Sequence, residues 1–473
     1  MKENPFNEEE EDIDDLLSEY EKLRAGTRFS FIDEESFERI IDYYFDQDKI
    51  PPATEAVNLA LEYFPSSSVL MLKKADLLIS ARKYYEALDI LAEAALYDSS
   101  DINLYILQTD AYLALDKQDK AVQVLESALL RFEGEERLEL LFELADVYDD
   151  YEEFDKVFDC LQLILEDEPA NQEALYKICF WTDFTGRNEE SIRIHLKIIE
   201  IHPYNELAWF NLGAAYQGLK LYEKAIDAYQ YAVTIEEKFD FAYRNMADAY
   251  IRLRKYKNAI ECLEKVLELA RPEEVIYEAL GHCWHRLNNF AQARFNYRKA
   301  SHMNAGDSKL HYKIAMTYMN EEQWDQAIKM LESAMRIHKN TPEYSLAMAE
   351  CKMALGNYKE AIQYFGNVIR LRPRSANGWE AFIRCLFKAE LYDQAAEQCL
   401  AARNLMENRP VFTFYYAACL IQTARVKEGL LQLENAMQAA PRLVKKFIEL
   451  YPPFLQHPQV VDVIARYKKS RKI

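Results

Sequence analysis

The sequence predicts an all-α protein built as a solenoid of stacked helix-turn-helix repeats. The composition favours helices packed on aromatic side chains, because 50% of the 473 residues are hydrophobic and 32 Tyr and 24 Phe stand against only 11 Gly and 14 Pro. Residues of similar character recur every 34 positions, and a period of this length is typical of repeat architectures. One position of nearly every repeat also stays small.

The clearest repeat lies near residues 206–239 and contains two helical stretches. Its characteristic residues are, in order, Trp209, Leu212, Gly213 and Tyr216, then Ala225, Tyr229 and Ala232. Gly213 and Ala225 leave room for two helices to cross closely, and the aromatic rings fill the space around the crossing. This pattern resembles the tetratricopeptide repeat family. The resemblance implies a right-handed superhelical solenoid of about twelve tetratricopeptide-type helix-turn-helix repeats.

The small position of the second helix supports the number of repeats. Counted at intervals of 34, with a two-residue insertion near Phe132, it reads Ala53, Ala87, Ala121, Val157, Ser191, Ala225, Ala259, Ala293, Ala327, Ala361, Ala395 and Gly429. Only Val157 breaks the rule. Proline, which cannot continue a helix, follows several predicted second helices, at Pro65, Pro169, Pro203, Pro373 and Pro441.

The predicted organisation has four parts: an acidic tail (1–23), the repeat array (24–441), capping helices (442–467) and a basic tail (468–473). The acidic tail is expected to be disordered or a frayed helix. The repeats lie near residues 34–67, 68–101, 102–137, 138–171, 172–205, 206–239, 240–273, 274–307, 308–341, 342–375, 376–409 and 410–441. The capping helices are expected to cover the exposed end of the stack, as solubility of a solenoid requires.

The formal net charge of −22 argues against several classes of partner. A phosphate backbone is bound by clustered Lys and Arg, so we expect no nucleic acid. Membrane binding is not expected either, because an anionic surface repels the chain and no stretch is long and apolar enough to span a bilayer. The eight cysteines contain no CxxC pair, and Cys351, Cys385 and Cys419 recur every 34 residues, as core residues would. We expect a soluble, cytoplasmic protein.

The sequence contains none of the common enzyme motifs, such as a Gly-rich phosphate loop, HExxH or a nucleophile elbow. The best metal candidate is the group His282, Cys283 and His285, in which the two histidines lie three residues apart. The group adjoins Gly281 of a predicted first helix, which favours a structural role. We therefore expect no catalytic activity, no cofactor and no metal.

The family resemblance implies that the first helices line a concave groove in which ligand peptides lie. Side chains one turn apart on these helices, pointing away from the second helices, are then the candidate contacts. The candidate partner-binding residues are Asp110, Phe142, Asp146, Tyr176, Phe180, Phe184, Phe210, Arg244, Arg252, His282, Arg286 and Lys309. Their acidic, then aromatic, then basic order favours a segment of opposite charge order with an apolar anchor in its middle. The alternatives are ordinary solvation of the acids and packing of the aromatics between repeats.

Some relatives grip acidic C-terminal peptides through a clamp of Lys, Asn and Arg on successive first helices. Asn211 and Asn245 partly match that clamp. Tyr176 and Phe180 stand where its first Lys and Asn are required, so we do not expect the clamp here.

We interpret the chain as a non-catalytic protein-protein interaction scaffold that binds a peptide or helical segment of a partner in the concave groove. Two alternatives stay open. The chain could be a self-associating structural protein, a homodimer in which the basic tail of one copy docks on the acidic repeats of another. It could also be a non-catalytic adaptor subunit of an enzyme assembly. The identity of the partner does not follow from the architecture.

Overall fold

The computed structural model describes residues 5–26, 31–407 and 409–469. Every regular element in these ranges is a helix, so the predicted all-α class is confirmed. Helices α2 to α25 form twelve successive helix-turn-helix pairs within the described residues, in agreement with the predicted number of repeats.

The helix pairs have nearly constant lengths. The first helices are α2 (Glu34–Asp46), α4 (Ser68–Ser80), α6 (Ile102–Ala114), α8 (Gly134–Asp150), α10 (Gln172–Thr185), α12 (Glu206–Gly218), α14 (Asp240–Arg252), α16 (Glu274–Arg286), α18 (Ser308–Asn320), α20 (Pro342–Ala354), α22 (Ala376–Lys388) and α24 (Pro410–Gln422). The second helices are α3 (Ile50–Tyr63), α5 (Tyr84–Tyr97), α7 (Gln118–Leu129), α9 (Phe154–Asp167), α11 (Asn188–Ile201), α13 (Tyr222–Ile235), α15 (Tyr256–Leu269), α17 (Phe290–Met303), α19 (Trp324–Ile337), α21 (Tyr358–Leu371), α23 (Tyr392–Leu405) and α25 (Val426–Ala439). Helix α1 (Pro5–Arg24) precedes the pairs, and α26 (Val444–Leu450) and α27 (Pro458–Lys469) follow them.

The turn inside each pair has the same backbone conformation. One residue per turn has a positive φ: Asp48, Arg82, Asp116, Glu152, Gly186, Lys220, Arg254, Asn288, Glu322, Gly356, Glu390 and Ala424. The next N–H usually donates to the carbonyl five residues earlier, as from Leu221 to Tyr216 at 2.9 Å, which closes the first helix in a Schellman motif. The positions are 34 residues apart except for 36 between Asp116 and Glu152, so the predicted two-residue insertion lies between these turns.

Many first helices begin at a residue whose side chain caps the free N–H groups. Asp33, Ser67, Asn171 and Asn205 each accept a hydrogen bond from a backbone N–H of the first turn. Most second helices have no such side-chain cap, because the preceding turn already fixes where they start. The 34-residue period is therefore marked by both a side-chain cap and a backbone turn.

The small position of the second helix is buried in every pair, as predicted; even Val157 is only 3% exposed. The reason is close helix crossing, since a Cβ added to Gly429 at this position would lie 2.6 Å from Ile421 of the first helix.

The glycines of the first helices show the same crossing. A Cβ added to Gly213 would lie 2.6 Å from the ring of Tyr229, and one added to Gly281 would lie 2.5 Å from Tyr297. Since a carbon cannot approach so closely, the aromatic ring of the second helix occupies the place of the missing side chain.

Residues 5–23 of the predicted acidic tail form helix α1, whereas residues 1–4 lie outside the described residues. Helix α1 covers residues that were expected to be disordered or frayed, and Tyr20 on its last turns is only 2% exposed. The Tyr20 ring lies 6.4 Å from Phe37 and 6.3 Å from Tyr44, and Arg24 pairs with Glu55 at 2.6 Å. Apolar residues at helical spacing within an acidic segment give α1 one face that packs on the first helix pair.

The C-terminal segment covers the last helix pair. Helices α26 and α27 are separated by a short 3-10 helix, Pro452–Gln456. Phe447 and Phe454 are buried, and their rings stack at 4.6 Å. Lys468 and Lys469, predicted as part of a basic tail, end α27, and residues 470–473 lie outside the described residues.

The chain divides into two compact units, Met1–Asn245 and Met246–Ile473, called here the N-terminal and C-terminal units. The border falls within α14. Each unit has its own buried apolar clusters. Among the helices of the described ranges, none has the length and apolar content that a bilayer crossing requires.

Candidate functional site

A row of carboxylates runs over the first helices of the N-terminal unit. Asp42, Asp76, Asp110 and Asp146 occupy the same position in α2, α4, α6 and α8. The two ends of the row are neutralised, because Asp42 pairs with Lys73 at 2.6 Å and Asp146 lies 3.8 Å from Lys177. Asp76 and Asp110, in the middle, form no ion pair within the described part of the chain.

The middle of this row is electrostatically strained. Partial burial raises the pKa of the Asp76 carboxyl. Asp110 is exposed as a residue, yet neighbouring atoms partly desolvate its carboxyl, and this effect together with the negative charge of Asp76 raises its pKa. Burial also raises the pKa of Glu143 on α8, and Asp110 adds to that shift. Lys73 lowers the pKa of Asp76 and Lys177 lowers that of Glu143, but burial outweighs both effects. A positively charged ligand would stabilise the ionised forms of these carboxylates.

An exposed aromatic surface on α10 continues the row. Phe180 occupies the position that follows Asp146 in the series, and Tyr176 and Phe184 lie one turn to either side. Tyr176 is 73% exposed, Phe180 61% and Phe184 57%. The rings of Phe180 and Phe184 stack at 5.9 Å, and Phe184 stands edge-on to Phe154 of α9 at 4.7 Å. Three predicted site residues therefore form one apolar surface.

Trp181 supports this surface and was not among the predicted site residues. Its ring is 9% exposed and lies 4.9 Å from Phe180, 5.4 Å from Phe154 and 5.8 Å from Phe184. The same position is small in neighbouring first helices, where it is Ala111, Val147, Ala215 or Ala249. A bulky ring needs more room than the small residue found here in other repeats. Helix α10 packs mainly on α9 and α12 rather than on its own second helix α11. Aligning the repeats would have revealed this exception.

Two further aromatics of the predicted set have structural contacts. The Phe142 ring lies under the Lys177 ammonium at 5.0 Å, which places it between the carboxylate row and α10. Phe210 is half-buried and packs on Tyr229 at 5.7 Å and Phe239 at 4.9 Å. For Phe210, packing within its own repeat is therefore the main role.

The predicted basic residues are less available than the acids. Arg244 pairs with Asp240 at 3.2 Å and Arg252 with Asp248 at 3.4 Å. In the C-terminal unit, Arg286 donates to the Tyr256 hydroxyl at 3.1 Å. His282 and Lys309 are exposed.

Asn211, which partly matched the peptide clamp, is buried and forms hydrogen bonds inside the protein instead. It is 2% exposed, and its Nδ2 donates to the Leu175 carbonyl at 2.6 Å and lies 3.2 Å from His195 Nε2. The other ring nitrogen of His195, Nδ1, lies 2.7 Å from the Ser191 carbonyl. Both nitrogens of a neutral ring are thus satisfied, and burial lowers the pKa of His195 to about 4. The network fixes α10, α11 and α12 beneath the aromatic surface.

The candidate metal group, for which no metal was expected, lies among protein contacts. Cys283 is buried, whereas His285 Nε2 lies 2.9 Å from the Asn320 amide. Within the described residues, the one trio of metal-ligating types with converging atoms is Glu274, Glu278 and Asp307. Each of these already has a protein partner: Asn304 donates to Glu274, Lys313 pairs with Glu278, and Asp307 caps α18.

The fold and surface define the class of the protein: a helix-turn-helix repeat protein with an acidic and aromatic first-helix face. The family model described as tetratricopeptide repeat protein 21 C-terminal ARM domain matches residues 212–345. The model described as tetratricopeptide repeat matches residues 346–411. The resemblance found in the sequence is confirmed, and proteins with such repeats generally mediate protein-protein interactions and are typically non-catalytic scaffolds.

No curated protein matches the chain. Among solved structures, the C-terminal part of a TPR repeat-containing protein from Cytophaga hutchinsonii is 15% identical, covers 54% of this chain and 99% of its own, and has a TM-score of 0.45. The Cut9–Hcn1 hetero-tetramer of the APC/C is 13% identical, with coverages of 82% and 97% and a TM-score of 0.36. YrrB, a TPR protein with an unusual peptide-binding site, is 18% identical, with coverages of 38% and 92% and a TM-score of 0.34.

Proposed function

We propose that the chain is a non-catalytic scaffold of the cytoplasm that binds a segment of a partner protein along the first-helix face of the N-terminal unit. The observation that carries the proposal is the exposed aromatic surface of α10 beside Asp76 and Asp110, which form no ion pair within the described residues. Apolar rings left in water and desolvated charges left unpaired both lower the stability of the free protein. A ligand that covers the rings and neutralises the acids removes both costs.

The chemistry of the ligand follows from this arrangement. Basic side chains would lie over Asp76, Asp110 and Glu143, and an apolar side chain would lie on Phe180 and Phe184. Buried aromatic anchors carry most of the binding energy in such interfaces, whereas charges at the rim mainly set specificity and association rate. We therefore expect a basic segment with an apolar anchor at one end.

The direct test is fluorescence anisotropy with a labelled peptide that carries several Lys residues followed by Leu and Phe. Phe180→Ala is expected to weaken binding about tenfold, because it removes the central ring of the surface. The matched control is Tyr204→Ala, which removes a ring that is 83% exposed in the turn before α12; this variant should bind like the wild type. Equal affinities for all three proteins would contradict the proposal.

A second experiment asks whether the surface recruits proteins. Affinity capture from cell extract would compare the wild type with a Phe180→Ala/Phe184→Ala variant. Proteins retained by the wild type alone would be partners of this surface. If both baits retain the same set, the α10 surface is not the recruitment site.

A further inference from the structure

Helix α17 in the C-terminal unit departs from the pattern of all other second helices. In a chain of net charge −22, it contains Arg294, Arg298, Lys299 and His302 and no acidic residue. Helix α17 also differs from its neighbours at individual positions. The slot of Arg294 holds a buried isoleucine in the flanking second helices, Ile260 at 6% and Ile328 at 8% exposure.

At the next position, residue 295, an apolar residue replaces a charged one. Phe295 is 54% exposed. The corresponding residues are Glu261 in α15 and Lys329 in α19, which are charged, as expected of a solvated face. Helix α17 therefore places a cation where its neighbours bury isoleucine and an exposed ring where its neighbours carry charge. Helix packing does not require this exchange, because the neighbouring pairs pack without it.

These side chains surround a pocket of about 580 Å³ between α17, Tyr318 of α18 and Gln323 before α19. Arg294 is mostly buried, pairs with Glu321 at 2.6 Å and lies 4.5 Å from the centre of the Tyr318 ring. Its charge is thereby neutralised. The positive charge that remains at the pocket belongs to Arg298 and Lys299.

Arg298 and Lys299 are oriented but not neutralised. Arg298 donates one N–H to the Tyr318 hydroxyl at 2.8 Å, which leaves most of its donors for a ligand. Lys299 Nζ lies 4.6 Å from the centre of the Phe295 ring and 4.8 Å from that of Tyr277. Neither residue forms an ion pair with a carboxylate within the described residues.

We propose that this pocket binds an acidic peptide segment in which an apolar side chain lies beside the carboxylates. Carboxylates pair with Arg298 and Lys299, and the guanidinium suits their planar geometry. The apolar side chain covers Phe295. An inorganic anion would use the cations but not the exposed ring, so the combination favours a peptide. The site is separate from the first-helix face of the N-terminal unit and takes a ligand of opposite charge.

The test uses the full-length chain and a labelled peptide that copies residues 5–16. This probe contains seven carboxylates together with Phe, Ile and Leu, so it has the required chemistry. We expect saturable binding that weakens as salt rises. The double variant Arg298→Glu/Lys299→Glu should bind about tenfold more weakly or worse, and Phe295→Ala about threefold more weakly.

The matched control is Lys329→Glu/Arg336→Glu, which changes the net charge equally on the next second helix, at two exposed positions. This variant should keep the wild-type affinity within about twofold, since long-range charge is screened. If both double variants lost the same affinity for the peptide, the loss would come from the net charge of the protein. This result would contradict a specific site at α17. Displacement of the probe by inorganic phosphate at constant ionic strength, with no effect of Phe295→Ala, would show an anion site and overturn the peptide ligand.

Discussion

The first-helix face of the N-terminal unit and the α17 pocket of the C-terminal unit are opposite in charge and in construction. On the first-helix face, the aspartates occupy the same position of successive repeats. The exception is Trp181, a large buried ring that supports an exposed aromatic surface. At α17, the repeat itself is broken, because Arg294 and Phe295 exchange the usual apolar and charged slots. The comparison shows two ways in which a regular repeat array acquires a distinct local surface. One is a change of a buried residue beneath the surface, and the other is a change of residues on the outer side of a helix.

The largest expected effect is the loss of the core that supports the first-helix face. Trp181→Ala should lower the free energy of unfolding of the N-terminal unit by about 3 kcal/mol, because a buried ring leaves a cavity. It should also weaken binding of the basic peptide. Phe295→Ala, at an exposed ring, should change stability by less than about 0.5 kcal/mol. Urea denaturation followed by circular dichroism measures the stability of both variants. Similar losses of stability would contradict the difference between a buried supporting ring and an exposed ring.

The second prediction concerns the acid stability of the N-terminal unit, which contains the buried side chain of His195. The pKa of His195 is about 4 in the fold against an ordinary value of 6.5, so between these values the unfolded chain binds the extra proton. The stability that comes from the neutral ring is complete above pH 6.5 and is lost as pH falls towards 4. The loss amounts to about 3 kcal/mol.

The control for this pH effect is His195→Leu, which places at this position the residue found at Leu161 in the preceding repeat and at Leu263 two repeats later. Denaturation of both proteins would be compared at several pH values between 7 and 4. The variant should lose less stability than the wild type over this window. Parallel curves would show that His195 does not titrate as the structure indicates.

At α17, restoring the repeat pattern tests which cations bind. Arg294→Ile with Glu321→Gln should raise stability by about 1 kcal/mol, since an apolar side chain replaces a desolvated ion pair. The double change leaves the net charge unaltered, so affinity for the acidic peptide should stay within about twofold. A tenfold loss in the anisotropy assay would mean that Arg294 itself contacts the ligand.

The smallest effect is expected at the carboxylate row. Partial desolvation of its carboxyl raises the pKa of Asp110, so the folded state binds its proton more readily than the unfolded chain, and the ionised form destabilises the fold as pH rises through that pKa. Asp110→Asn should therefore raise stability at neutral pH by less than about 1 kcal/mol, because water screens part of the charge. The gain should vanish in acid, and affinity for the basic peptide should fall. A destabilised variant would contradict this account.

Much of the fold could be predicted, but the features that set one repeat apart could not. The 34-residue spacing, the small position of the second helix and the prolines after second helices predicted the pairs. The turn residues were missed, because ten of the twelve left-handed positions are not glycine, as at Arg82 and Lys220. The cost of a left-handed residue, about 1 kcal/mol, is offset by the hydrogen bonds that close the helix, and these are invisible in the sequence.

For the candidate surfaces, the sequence placed Asp110, Phe180 and Phe184 on first helices but did not distinguish them from Phe210, which packs inside its repeat. It also offered Asn211 as a possible ligand-binding residue, whereas the structure buries that side chain against Leu175 and His195. Helical spacing fixes the face of one helix on which a residue lies. It does not show how far the neighbouring helix covers that face.

By itself, therefore, the sequence determined the class, the number of repeats and the excess of negative charge, because each depends on composition or on a period along the chain. Only the tertiary structure decided which acids form no ion pair within the described residues, that Trp181 supports an exposed aromatic surface, and that Arg298 and Lys299 line one pocket together with Tyr318. These properties depend on side chains 20 or more residues apart in the chain, and their proximity is fixed by helix packing rather than by local pattern.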